Sequence, residues 1–104
     1  MATVTLIWTL PTTRTDGSAL LLTDIVEVDI FDAVNGAAAS QIATVSGPAT
    51  TYTTGVLVEG AHIFTAFAKD SGGRVSASSN PATITVPSTA APSPITGLTA
   101  ALNP

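Results

Sequence analysis

Between Val4 and Pro11 the chain reads VTLIWTLP and alternates without a break. Val4, Leu6, Trp8 and Leu10 fall on one side; Thr3, Thr5, Ile7 and Thr9 fall on the other. A period of two is the signature of a strand with one apolar face, and it rules out a helix here. Trp8 is the single tryptophan of a chain that is only 5% aromatic, so a core built around Trp8 is expected. The strand must find both a sheet to pair with and a second layer to cover that face.

The rest of the chain supplies further strands at roughly ten-residue spacing, punctuated by Gly and Pro, as in a sandwich or barrel. Pro11–Ser18 is a loop. In Ile25–Ala33, Val26, Val28 and Ile30 are expected on the core face and Glu27, Asp29 and Phe31 on the outer one. Asn35-Gly36 signals a turn, Gln41–Ser46 a short strand, and Gly47-Pro48 another turn. Thr50–Thr54 is expected as a strand with Tyr52 facing the core. Gly55–Gly60 is a corner and His62–Ala68 a strand. Asp70–Arg74 is a tight turn, Val75–Asn80 a loop or ragged strand, and Ala82–Val86 a strand closed by Pro87. No segment carries a helical period. Ser88–Pro94 is a Pro/Ala/Ser linker, and Ile95–Leu102 regains strand character. The expected organisation is a β-domain over residues 1–87 and an arm over 88–104.

Composition narrows the functional classes. The 104 residues are enough for one domain with its own core. Seven acidic and three basic residues give a net charge of −4, which argues against nucleic acid and anionic membranes as partners. Without cysteine there is no disulfide or thiolate site. MATVTLIW lacks a basic n-region and is not expected to be a signal peptide, and no apolar run is long enough for a membrane span.

Candidate chemistry is sparse. His62 alternates with Phe64 and Ala66 on a core-facing strand, where a lone histidine is expected to be structural. Glu27 and Asp29, flanked by Asp24 and Asp32, read as a solvated strand face rather than an acid–base pair. Asp16-Gly17-Ser18 is too sparse for calcium, and the glycines of the 70–74 turn need no phosphate. No catalytic residue, metal or cofactor is expected.

Taken together, these segments resemble a fibronectin type III domain in its bacterial and phage form. The Trp8 strand with Pro11 resembles strand B of that family. Thr15-Asp16-Gly17-Ser18 followed by Leu22–Phe31 resembles the B–C loop and strand C. Leu57, Gly60 and the run GAHIFTAFAKD resemble the E–F corner and strand F. Gly73, Ser76 and Ser79-Asn80 resemble the F–G loop and the start of strand G. His62 stands where the family has its corner tyrosine, and Val28 where it has a strand C aromatic. The resemblance implies an all-β, fibronectin type III-like antiparallel β-sandwich of about seven strands with an extended C-terminal arm. It also implies an outer sheet face on which Phe31, Ile63 and Phe67 meet as an apolar contact patch.

The family places a strand A before strand B, whereas here strand B starts almost at Met1. Pro92–Ala100, PSPITGLTA, resembles a strand A at the other end of the chain. The tail reads as the start of a further repeat, as a flexible or loosely docked tail, as a tail that folds back onto its own edge, or as a tail that adds to a neighbour. Ile95, Leu98 and Leu102 are its candidate contacts. The expected function is non-enzymatic: a tailed-phage virion component, such as a capsid decoration or neck or tail accessory protein, bound to other virion proteins and to itself through the arm. Its expected location is the virion, assembled in the host cytoplasm. The alternative is a carbohydrate-associated or spacer module of a bacterial surface or secreted system.

Overall fold

The structure is a computed structural model and describes residues 2–104. It is all-β, with six strands among the described residues: β1 (Thr5–Ile7), β2 (Ile25–Val34), β3 (Ser40–Ser46), β4 (Thr51–Thr53), β5 (Gly60–Asp70) and β6 (Ala82–Val86). β1 and β4 form a two-stranded antiparallel sheet, and the others form a four-stranded antiparallel sheet in the order β3-β2-β5-β6. The only helical element described is a single 3-10 turn, Leu22–Asp24, leading into β2.

The core lies between the two sheets. Leu10, Ile25, Val28 and Ile30 are its buried centre, and Leu6, Trp8, Tyr52, Val45 and Ala66 pack against them. The alternation of the first segment is therefore realised: Leu6 and Trp8 face inward while Ile7 is 80% exposed. Trp8 flanks the core and does not form its centre. Its ring is half-buried, and its indole N–H donates to the Ala49 carbonyl at 3.1 Å. A tryptophan with its polar edge at a loop satisfies its one donor without burying it deeply.

One face assignment is corrected by the structure. Val26 is exposed, and Ile25 takes the inward position. The β2–β5 register slips between Ile25 and Glu27, so Val26 is an extra residue in a bulge. A bulge inverts the alternation on one side of itself, which strict period-two counting misses. Beyond it, Val28, Ile30 and Asp32 all face the core.

The turns follow their residues. Asn35 and Gly36 both have positive φ (52° and 79°), the conformation that two-residue hairpin turns demand. Val75–Asn80 forms no strand, although it runs beside β5. Ser76 N–H donates to the Ala68 carbonyl while Ala68 N–H donates to Ser76 Oγ (2.8 and 2.9 Å). Ser79 repeats the pattern with Ala66 (2.9 and 3.0 Å). Two serine hydroxyls thus stand in for ladder carbonyls, satisfying β5 without regular pairing.

The chain beyond Val86 departs from the expected strand character. Residues 87–104 contain no strand and are exposed throughout. Thr89 N–H donates to the Glu59 carboxylate at 3.1 Å and fixes the root of the arm. Beyond it the arm runs away from the sheets, giving extents of 86 × 23 × 19 Å and a radius of gyration of 21.6 Å. A compact chain of this length has a radius of about 13 Å.

Candidate functional site

The buried titratable groups His62, Asp32 and Asp70 are engaged in structure. His62, 1% exposed, presents Nδ1 to Asp32 Oδ2 and Nε2 to the Val58 carbonyl, both at 2.7 Å. A carbonyl only accepts, so Nε2 carries a proton. The bond to Val58 and then that to Asp32 raise the His62 pKa against the opposing effect of burial. Its inward position was legible in the alternation, but its partner was not. Asp32 is 30 residues away in sequence and faces the core, not the solvated side that its acidic neighbours suggest. The same-face series Val28, Ile30, Asp32 was the available signal: an acid on a core face must have a partner.

Asp70 is the second such group. Its Oδ2 accepts from Arg74 Nε (2.8 Å) and Arg14 Nη1 (2.7 Å), and its Oδ1 accepts the Arg74 and Gly72 N–H groups (2.8 and 3.0 Å). The Arg74 and Arg14 bonds hold its carboxyl well below the usual carboxylate range. Arg74 thus closes the expected glycine-rich turn on Asp70, and Arg14 ties that carboxylate to the Pro11–Ser18 loop. Asp16 Oδ1 accepts both the N–H and the hydroxyl of Ser18, closing its loop locally. Glu27 and Asp29 lie on the outer face of β2, where the neighbouring Asp29 carboxyl pushes the Glu27 carboxyl up. Among the described residues, no three His, Asp or Glu side chains converge as metal ligands.

The displayed surface is apolar instead. Phe31 on β2 and Phe67 on β5 meet edge-to-face with ring centroids 5.3 Å apart. Ile63 lies on the same outer face of β5 and is 38% exposed. The three predicted patch residues therefore share one face of the four-stranded sheet, with the two rings in direct contact. The three predicted arm residues are more exposed still: Ile95 and Leu98 at 89% and Leu102 at 93%.

A third feature concerns the edge of β1. Val4, Leu6 and Trp8 direct their backbone groups at β4: Thr54 N–H donates to the Val4 carbonyl, and Trp8 N–H to the Thr50 carbonyl (2.8 and 3.0 Å). In an antiparallel ladder the intervening residues point the opposite way. The N–H and C=O groups of Thr5 and Ile7 therefore form an open edge with no strand beside it among the described residues. Behind this edge lies a cleft of about 380 Å³, lined by Leu6, Trp8, Ile30, Phe64, Ala66 and Ala82. It separates β1 from β5 and β6.

The far wall shows the same deficit of cover. On β6, Ile84 pairs with His62 and Ala82 with Phe64. Paired residues present their side chains to the same face. His62 and Phe64 are buried, yet Ile84 is 42% exposed. An inward-facing isoleucine is half in water because nothing from the smaller sheet lies over it. No family model, no curated protein and no solved structure matches the chain.

Proposed function

We propose that this chain is a non-enzymatic structural and interaction module of fibronectin type III type, serving as a component of a tailed-phage virion in a capsid decoration or a neck or tail accessory role. The observation that carries the interaction reading is the disposition of side chains. The buried histidine and the buried aspartates are spent on holding the fold, while Phe31, Ile63, Phe67 and the arm leucines are turned outward. Exposed contiguous apolar side chains mark contact surfaces.

Two features support the fibronectin type III reading. β2, β5 and β6 lie side by side as strands C, F and G do, opposite β1 and β4 in the places of B and E. The His62 Nε2–Val58 bond closes the corner before β5, the task of the family's corner tyrosine hydroxyl. The virion assignment rests on the resemblance, since a fold alone does not select a function. A spacer module is the second reading, favoured by the Pro/Ala/Ser composition of the arm's first half.

The test is co-sedimentation of the chain with intact phage particles through a density gradient. The virion reading predicts that wild-type protein travels with particles and that Phe31→Asp with Phe67→Ser does not. Wild-type protein that stays entirely in the soluble fraction contradicts it.

A further inference from the structure

The open edge of β1 and the C-terminal arm are complementary in three respects. The first is hydrogen bonding. The edge offers donors and acceptors at Thr5 and Ile7 that β4 does not use, and the arm is exposed backbone with no strand partner among the described residues. The second is side-chain pattern. In Leu98–Leu102 the positions Leu98, Ala100 and Leu102 fall on one side, and Thr99 and Ala101 on the other. Laid beside β1, that puts leucines into the cleft of Leu6, Trp8, Phe64 and Ala82, and small or hydroxylated residues with the outer Thr3 and Thr5. The third is the absence of a guard. Exposed edges are ordinarily protected by a charge, a proline or a bulge, and Thr3–Leu10 carries none of these.

Direction decides whose arm fits. Leu57 N–H bonds the Ala2 carbonyl, and three residues later Gly60 pairs with Val86. The arm therefore leaves the domain at the end where β1 begins. To lie antiparallel to β1 of its own domain, it would first have to run the length of the sheet and then reverse. The linker from Pro87 to Pro94 reaches at most about 25 Å, enough to pass back along the roughly 14 Å edge from Val4 to Trp8, but the arm instead runs away from its own sheets. An arm entering from a second domain stacked end to end needs neither reversal nor slack.

We propose that the arm of one copy adds antiparallel to the open β1 edge of a second copy, with Leu98 and Leu102 in the cleft, so that the chain assembles head to tail. The proposal rests on the reading of the chain as an interaction module and names its partner as the chain itself. Because each copy uses one edge and offers one arm, the contact is heterologous and produces rings or filaments rather than a closed two-fold dimer.

Sedimentation velocity on the full chain from micromolar to millimolar concentration tests it. The expected result is a mass that grows with concentration. Leu98→Asp with Leu102→Asp removes the donor, and both residues are exposed, so the fold is untouched. Ile7→Pro removes the acceptor, because the Ile7 N–H points away from β4. Each variant alone is expected to remain monomeric. Their mixture is expected to give a one-to-one dimer, one variant contributing the arm and the other the edge. Should Ile7→Pro fail to fold, a peptide of residues 92–104 added to the Leu98→Asp, Leu102→Asp chain is expected to shift the amide resonances of Thr5 and Ile7. A wild-type chain that is monomeric at every concentration overturns the proposal, whether or not the arm affects stability. Association that survives both variants overturns it equally. Neither result bears on co-sedimentation with particles, so the virion reading stands or falls separately.

Discussion

His62 and Asp32 form a buried pair, Nδ1 to Oδ2 at 2.7 Å, that ties β5 to β2 inside the larger sheet. Asp32 Oδ1 is buried without a hydrogen-bond partner among the described residues, so the pair leans on this one contact and on the Val58 carbonyl. His62→Ala is expected to cost about 3–5 kcal/mol, because it leaves the Asp32 carboxylate buried with no cation. Replacing both residues, His62→Leu with Asp32→Val, is expected to cost less than either single change, since no orphaned charge remains. Urea unfolding of the three variants and the parent measures this directly.

The same pair fixes the alkaline side of the stability profile. The folded-state pKa of His62 is raised above its ordinary value of 6.5. Its contribution is complete below that value and is lost as pH rises through the folded pKa. Unfolding midpoints are therefore expected to decline on going alkaline, and the decline is expected to vanish in His62→Ala. On the acid side, Asp70 has a lowered pKa, so its contribution is present above 3.8 and lost as pH falls toward the folded value. Asp70→Asn is expected to lower the melting temperature at neutral pH and to flatten the acid limb.

How much of this was legible follows from periodicity and its interruptions. The alternation of Leu6 and Trp8 against Ile7 and the inward His62 follow from counting by two, although regular strand is confined to Thr5–Ile7 of the expected Val4–Leu10, and the Phe31–Phe67 contact follows the strand neighbours that the resemblance implies. Counting failed at Val26, where a bulge changes phase, and at Asp32, whose partner is distant in sequence. It failed again at Ile95–Leu102. Those residues have strand-like composition, but a strand also needs a partner, and within one copy the arm finds none. Trp8 was placed on the correct face, yet its size does not make it the centre when the edge beside it is open.

The outer face separates binding from stability. The Phe31–Phe67 contact is half-buried and contributes about 0.5–1.5 kcal/mol beyond burial. Phe67→Ser is expected to lower stability only modestly, measured by thermal unfolding, while abolishing co-sedimentation with particles.

Ile84 reports on the cleft from its far wall. Being half-exposed, it should lose about 1 kcal/mol on truncation to alanine in the monomer, below the 2–5 kcal/mol typical of a buried isoleucine. Ile84→Ala is expected to weaken head-to-tail assembly as well, seen as a higher concentration for the mass increase in sedimentation.

Amide hydrogen exchange at Thr5 and Ile7 reads the arm's pairing at the edge itself, because these N–H groups point into the position the arm is proposed to occupy. In the concentrated wild-type chain they are expected to be protected, with protection falling on dilution and absent in Leu98→Asp, Leu102→Asp. Equal, rapid exchange in both chains at every concentration would contradict it.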